Sequence, residues 1–180
     1  MLRALDELFN LGLTLDQLAT IGATLGSDVP FLIRGGSAIV EGFGDRITPQ
    51  EHIPQLNAII VFPEASCPTG AVYRQFDLFG EAALKADAVA ELARSRRIAA
   101  DTPFNDLAEA AMRLAPTLKV DLGRVAEMAQ RPAHISGSGS SLFVICDDDM
   151  HALALADAVE RKLGLPSAQV KATRPSTHSR

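Results

Sequence analysis

Cysteine is scarce in this sequence, which contains only two among 180 residues and no spaced cysteine motif. A disulfide framework is therefore excluded, and Cys67 and Cys146 are predicted to be free thiols in a reducing cytoplasm. Histidine forms no metal-site pattern either, because the four residues are scattered along the chain, at positions 52, 134, 151 and 178. The sequence predicts no metal site built from protein ligands.

Long apolar runs and clustered basic residues are also missing. No stretch reaches the roughly 20 apolar residues that a membrane-spanning helix needs, so no membrane partner is expected. The net charge of −5 gives no electrostatic reason to expect nucleic-acid binding. The arginines of residues 94–97 are interpreted as one solvated helix face, and a phosphate-binding role for them is the alternative.

What the sequence does contain is typical of a globular protein. Its residues are 47% hydrophobic and 22% charged, which excludes a disordered or low-complexity chain. At 180 residues the chain is long enough for one good core and part of a second domain.

The segment from Thr14 to Pro30 carries the first candidate functional residue. Thr14 and Gln17 match a capping box, and apolar residues at helical spacing predict a helix over 14–25 that ends at Gly26. Because Pro30 disfavours helical geometry in the preceding residue, Asp28 is expected on a stiff turn before an extended run. A rigidly held carboxylate suits a general base, and a local hydrogen-bonding role in the turn is the alternative.

A second candidate lies far downstream, in a turn rich in glycine and serine that leads into an apolar strand. Its glycines permit close backbone approach, and successive N–H groups in such a turn can surround an anion. An ordinary tight hairpin uses the same residues and is the alternative interpretation. The turn consists of Ser136, Gly137, Ser138, Gly139 and Ser140.

The order of predicted elements changes after Pro49 and Pro54, which bracket the expected domain boundary. Before the boundary the patterns predict helices over 1–9 and 14–25 and two short strands over 37–41 and 46–48. After it they predict a strand, several helices, a hairpin, a helix and a strand. These are a strand over 56–62, helices to about 98, over 105–114 and over 121–129, strands over 133–136 and 142–146, a helix over 150–163 and a strand over 168–173. In this scheme Asn105 and Asp121 are N-caps. The order is that of an α+β, ferredoxin-like split βαβ domain.

Four motifs in this order resemble those of the GHMP small-molecule kinase superfamily, over nearly the whole chain. They are Gly-Ser-Asp-Val-Pro at 26–30, Gly-Gly-Ser-Ala-Ile-Val-Glu-Gly-Phe-Gly-Asp at 35–45, Asn-Asp-Leu-Ala-Glu at 105–109 and Ser-Gly-Ser-Gly at 136–139. The resemblance implies that residues 1–55 are the C-terminal part of the family's N-terminal domain and that residues 56–180 are its ferredoxin-like C-terminal domain.

The same resemblance implies roles for particular residues. Asp28 matches the family's catalytic Asp, and residues 136–140 match its phosphate-side loop. Three residues at a helix start match the position that contacts a cytidyl-bearing substrate: Pro68, Thr69 and Gly70. For Thr69 a plain N-cap role is the alternative. The implied activity is ATP-dependent, Mg²⁺-assisted phosphorylation of a small alcohol, most similar to the branch acting on the 2-hydroxyl of 4-diphosphocytidyl-2-C-methyl-D-erythritol. No oligomeric state is predicted.

Two family features are expected upstream of this chain, a Gly/Ser-rich phosphate loop and a catalytic lysine. The chain is therefore expected to be the C-terminal portion of such a kinase and to be inactive alone, because the loop and lysine supply positioning and charge stabilisation. The alternatives are a non-catalytic ferredoxin-like module that binds a ligand or partner, and a GHMP kinase with another substrate.

Overall fold

The computed structural model describes residues 1–51, 56–79 and 85–172. These residues fall into two compact units. The first unit contains residues 1–51 together with Ala86–Arg96, and the second contains residues 56–79, 85 and 97–172. Residues 86–96 were expected in the second domain, but their contacts group them with the first unit.

Several expectations fall outside the described residues. The predicted domain boundary at residue 55 falls in the segment 52–55, and the predicted end of the last strand falls at Thr173. Both positions lie outside the described residues, so both stay predictions. His52, His178 and residues 80–84 of the alanine-rich helical segment also lie outside the described part.

The first unit consists of four helices and a two-stranded antiparallel sheet. They are α1 (Leu2–Phe9), α2 (Leu15–Ala23), α3 (Val29–Arg34), β1 (Ala38–Glu41), β2 (Arg46–Pro49) and α5 (Ala86–Arg94). The predicted capping box at the start of α2 is confirmed. The Gln17 N–H donates to the Thr14 hydroxyl over 3.2 Å, and the Thr14 N–H donates to the Gln17 side chain over 2.8 Å.

The extended run predicted after Asp28 is wrong, because α3 begins at Val29. Pro30 lies in the first turn of α3, where a missing N–H costs no helical hydrogen bond. Pro30 and Ile33 are buried, and a Cβ on Gly22 of α2 would lie 2.8 Å from both Ile33 and Val29. This close packing of α3 on α2 outweighs the local preference of the residue before proline.

The second unit contains a four-stranded sheet and four helices. They are β3 (Asn57–Val61), α4 (Thr69–Phe79), α6 (Ala108–Leu114), α7 (Pro116–Ala129), β4 (His134–Ile135), β5 (Leu142–Cys146), α8 (Asp149–Leu163) and β6 (Ser167–Lys171). The strand order is β4-β5-β3-β6, with every neighbouring pair antiparallel. The α+β class and the ferredoxin-like order of elements are confirmed, and Gly164 ends α8 in the left-handed conformation as expected.

Alternate residues of the central strands form the core of this unit. Ile59 and Val61 of β3 and Leu142 and Val144 of β5 are completely buried with Val159 of α8. Because strand side chains alternate between faces, these positions place one face of the sheet against the helices. The strand β5 thus holds the C-terminal end of the glycine- and serine-rich turn on a rigid element.

Two predicted helix starts are wrong. The helix expected to begin at Asp121 begins five residues earlier, because Pro116 suits the first turn of a helix. Asp121 instead lies inside α7 and pairs with Arg124. The N-cap of α6 is Leu107, and Asn105 precedes the helix by one irregular turn.

None of the helices in the described residues combines the length and apolar character that a bilayer span requires.

Candidate functional site

Asp28 occupies the N-cap position of α3 in the first unit. Its side chain is exposed and makes no capping hydrogen bond to the helix, although its carbonyl oxygen accepts from the Leu32 N–H over 3.1 Å. The carboxylate oxygens are therefore not used to cap α3, as those of an N-cap Asp commonly are. Capping is one form of the local hydrogen-bonding role that was the alternative for Asp28, and this form is absent.

Gly44 of the β1–β2 turn lies directly against the turn that carries Asp28. Its φ is +83°, and a Cβ at this position would lie 2.0 Å from the Ser27 carbonyl oxygen. Only glycine satisfies both the left-handed backbone and the close approach. Gly44 lies in the motif at 35–45, and nothing local to the turn indicates its close approach to Ser27.

The predicted turn of residues 136–140 is the loop of the hairpin between β4 and β5. The Ser136 N–H donates to the Ser141 carbonyl over 2.9 Å, and the Gly139 N–H donates to the Ser136 carbonyl over 2.9 Å. Gly137 has a φ of +54°, which is typical of the first central residue of a type II′ turn. The hairpin is confirmed, and two of its N–H groups are used within the loop itself.

Gly139 brings the loop against the body of the second unit. With a φ of +86°, its Cβ position lies 3.3 Å from the Cys67 sulfur and 3.4 Å from a Leu118 methyl carbon. Burial raises the pKa of the Cys67 thiol, so the neutral, weakly nucleophilic form is favoured at this position. Cys67 therefore supports the loop by contact.

Asn105 connects the loop to the start of α6. Its side-chain amide donates to the Ile135 carbonyl over 2.9 Å and to the Gly137 carbonyl over 2.8 Å. Its side-chain oxygen accepts from the Leu107 N–H over 3.0 Å. The sequence predicted Asn105 as a helix cap within the family-like motif at 105–109, and its connection to a loop 30 residues downstream had no local signal.

Thr69 brings the start of α4 to the same loop. The N–H groups of Ala71 and Val72 donate to the Pro68 carbonyl, so Thr69 is the first residue of α4 and does not cap it. Its hydroxyl oxygen lies 3.1 Å from that of Ser138. The structure therefore places two of the three predicted site segments side by side, residues 68–70 and residues 136–140. Asp28, the third, belongs to the first unit.

A separate ionic cluster lies where β5 ends. Arg131 donates to both carboxylate oxygens of Asp147, over 3.2 and 2.8 Å, and to the Ile145 carbonyl over 3.0 Å. These hydrogen bonds lower the pKa of Asp147 from 3.8 to about 2, and His151 contacts the same carboxylate at 3.2 Å. The bidentate pair joins the end of α7 to the end of β5.

No protein-family profile matches the chain. The chain is 36% identical over 154 residues to 4-diphosphocytidyl-2-C-methyl-D-erythritol kinase of Caulobacter vibrioides, covering 81% of this chain and 52% of the relative. It is 33% identical over 184 residues to the kinase of the same name from Pseudarthrobacter chlorophenolicus, covering 97% of this chain and 57% of the relative.

A solved structure has the same fold. A crystal structure of 4-(cytidine 5'-diphospho)-2C-methyl-D-erythritol kinase superposes with a TM-score of 0.72 at 30% identity, covering 93% of this chain and 60% of that one. The chain spans about half the length of the curated relatives it matches. Over most of its length the chain is therefore similar, in sequence and in fold, to the 4-diphosphocytidyl-2-C-methyl-D-erythritol kinases.

Proposed function

We propose that this protein transfers the γ-phosphoryl group of ATP to the 2-hydroxyl of 4-diphosphocytidyl-2-C-methyl-D-erythritol, in non-mevalonate isoprenoid biosynthesis. The observation that carries the proposal is 36% identity to a kinase of that name over 81% of the chain. The adjacent Thr69 and Ser138 support it, because they belong to the segments that the resemblance assigns to substrate and phosphate binding. We place the activity in the cytoplasm.

In this proposal Asp28 accepts the proton of the attacking hydroxyl. Phosphoryl transfer needs a positioned nucleophile, and a carboxylate within hydrogen-bond reach can take its proton as the bond to phosphorus forms. The exposed carboxylate at the start of α3 is not occupied in capping the helix, which suits this role. The close contact between Gly44 and Ser27 holds the turn in place.

Residues 136–140 contribute a phosphate-side surface. Gly137 and Gly139 let a phosphate approach the backbone closely, and neither presents a side chain that would block it. The first turn of α4 adds the N–H groups and dipole of a helix N-terminus, which favour a negatively charged diphosphate. Pro68, Thr69 and Gly70 are proposed to bind the substrate there.

ATP is the proposed phosphoryl donor, and Mg²⁺ is proposed to accompany it. The described residues contain no group of three or more His, Cys, Asp or Glu side chains that could hold a metal ion. Magnesium in kinases is often bound through one or two carboxylates, water and the nucleotide phosphates, so this chain's residues need not form a metal cage. When bound, Mg²⁺ neutralises phosphate charge.

The two alternatives from the sequence are less favoured. A non-catalytic module has no particular support, because the relatives that match most of the chain bear kinase names. A GHMP kinase with another acceptor is tested by offering mevalonate in place of the cytidyl substrate.

The decisive experiment is a hybrid enzyme, the Caulobacter kinase whose matched segment is replaced by this chain. We expect ATP-dependent phosphorylation of the cytidyl substrate, measured by ADP release and by phosphorus NMR of the product, and little turnover of mevalonate. The Caulobacter kinase with the matched segment deleted is the negative control. A folded hybrid that binds ATP and fails to phosphorylate the cytidyl substrate would contradict the proposal.

A further inference from the structure

We infer that Asn105 is a positioning residue that sets the orientation of the backbone N–H groups in residues 136–140 for phosphoryl transfer. The inference rests on the proposed function, and it assigns a role to a residue that does not itself touch the reacting groups.

Both the amide nitrogen and the oxygen of the Asn105 side chain make hydrogen bonds. Its amide nitrogen donates to the carbonyls of Ile135 and Gly137, over 2.9 and 2.8 Å, and its oxygen accepts from the Leu107 N–H over 3.0 Å. An asparagine amide has two donor hydrogens, and both have an acceptor here. One side chain therefore joins the start of α6 to both ends of the Ile135–Gly137 segment.

Packing alone does little to fix the Gly137 end of the loop. Gly137 is exposed, and no atom lies within 4 Å of where its Cβ would be. A Cβ on Gly139, by contrast, would lie 3.3 Å from the Cys67 sulfur and 3.4 Å from a Leu118 methyl carbon. The hydrogen bond from Asn105 is thus a principal restraint on the Gly137 carbonyl.

Holding the Gly137 carbonyl in place also sets the direction of the Ser138 N–H. The carbonyl of Gly137 and the N–H of Ser138 belong to one planar peptide group and point in opposite directions. When Asn105 holds the carbonyl, the Ser138 N–H is directed away from Asn105, and in our inference this is the donor offered to phosphate. Donors oriented before the reaction stabilise developing charge without a reorganisation cost.

Substitution by aspartate separates this role from a structural one. Asn105→Asp keeps the side-chain shape and the oxygen that accepts from the Leu107 N–H, and it places a second oxygen against two carbonyls in place of the donor. Asn105→Ser is the second variant. Its hydroxyl can still accept a hydrogen bond, but the side chain is too short to donate to the loop carbonyls. Asn10→Asp, at the exposed end of α1 in the first unit, is the control for the added negative charge.

The first measurement is amide hydrogen exchange by NMR on the full 180-residue chain. In Asn105→Asp we expect exchange of the Gly139 N–H to accelerate by about tenfold or more, since the turn that holds it opens more often. Exchange in α7 and α8 should stay as in the unmodified chain, and Asn10→Asp should change neither. Unchanged Gly139 exchange in Asn105→Asp and Asn105→Ser would overturn the inference.

The second measurement is the kinetics of the hybrid enzyme. We expect Asn105→Asp to lower kcat by about 10- to 100-fold, with the KM of the alcohol within about twofold, as for a misdirected donor. A change confined to KM, wild-type kcat, or failure of both variants to fold would show that Asn105 is not a positioning residue. If the unmodified hybrid folds and binds ATP but is inactive, the proposed function is wrong, and the exchange of the Gly139 N–H alone decides whether Asn105 orients the loop.

Discussion

The hydroxyl oxygens of Thr69 and Ser138 lie 3.1 Å apart although the two residues are separated by 69 positions in the chain. The contact joins the first turn of α4 to the hairpin loop between β4 and β5. Substrate-side and phosphate-side segments of the proposed site are therefore neighbours within the second unit. A ligand that carries both a cytidyl and a diphosphate group would be long enough to contact both.

Asp28→Asn in the hybrid enzyme should lower kcat by about two to four orders of magnitude, because asparagine cannot accept the proton as a general base does. The fold should be retained, since the Asp28 side chain makes no capping bond to α3. Asp16→Asn, which breaks an exposed ion pair with Arg34, is the control and should leave turnover unchanged. Steady-state kinetics on folded variants checks this, and wild-type turnover in Asp28→Asn would rule out the base.

Gly44→Ala should destabilise the protein by about 2–4 kcal/mol, because the new Cβ overlaps the Ser27 carbonyl in addition to straining a positive φ. Gly12→Ala provides the matched control. Gly12 also has a positive φ, of +67°, but its Cβ position meets no atom within 4 Å, so a cost of about 1 kcal/mol is expected. Urea unfolding measures both values, and equal losses would show that the contact with Ser27 is unimportant.

Leu142→Ala should cost about 2–5 kcal/mol of unfolding free energy, since it leaves a cavity beside Val61 and Ile135 in the sheet. Leu142 is completely buried, whereas Leu78 of α4 is 71% exposed. Leu78→Ala should therefore change stability by no more than about 0.5 kcal/mol. Chemical denaturation of both variants tests the predicted core, and a small loss for Leu142→Ala would contradict it.

The free energy of unfolding should fall at acid pH as Asp147 becomes protonated. The hydrogen bonds from Arg131 lower the pKa of this carboxyl to about 2. A carboxyl with a lowered pKa in the folded state stabilises it above its ordinary pKa of 3.8, and this contribution is lost as the pH falls from about 4 through about 2. Asp147→Asn should therefore flatten the pH dependence of stability in this interval. Thermal melts at a series of pH values measure it, and parallel curves for both proteins would contradict the assignment.

Local patterns predicted many elements correctly because they depend on near neighbours. The capping box of Thr14 and Gln17 involves residues three positions apart, and Gly164 ends α8 through its own backbone freedom. β3 and β5 were predicted as strands because each is a run of mostly apolar residues, and most of their residues are buried.

The wrong predictions arose near prolines that lie in the first turn of a helix. Pro30 argues against a helix at Val29, yet α3 packs on Gly22 of α2 and begins there. Asp121 is a favourable N-cap, yet Pro116 starts α7 earlier. In both places a proline was compatible with the first turn of a helix, where its missing N–H has no helical partner to lose.

The same distinction between local patterns and long-range contacts applies to the candidate site. The sequence by itself determined which residue types are available: an Asp on a turn after α2, a glycine- and serine-rich loop and a helix that begins near Thr69. Only the tertiary structure decided that Asn105 holds Gly137 and that Gly44 lies against Ser27. The acceptor of a polar side chain and the neighbour of a glycine can be any backbone group that folding brings within reach, so no spacing in the sequence encodes them.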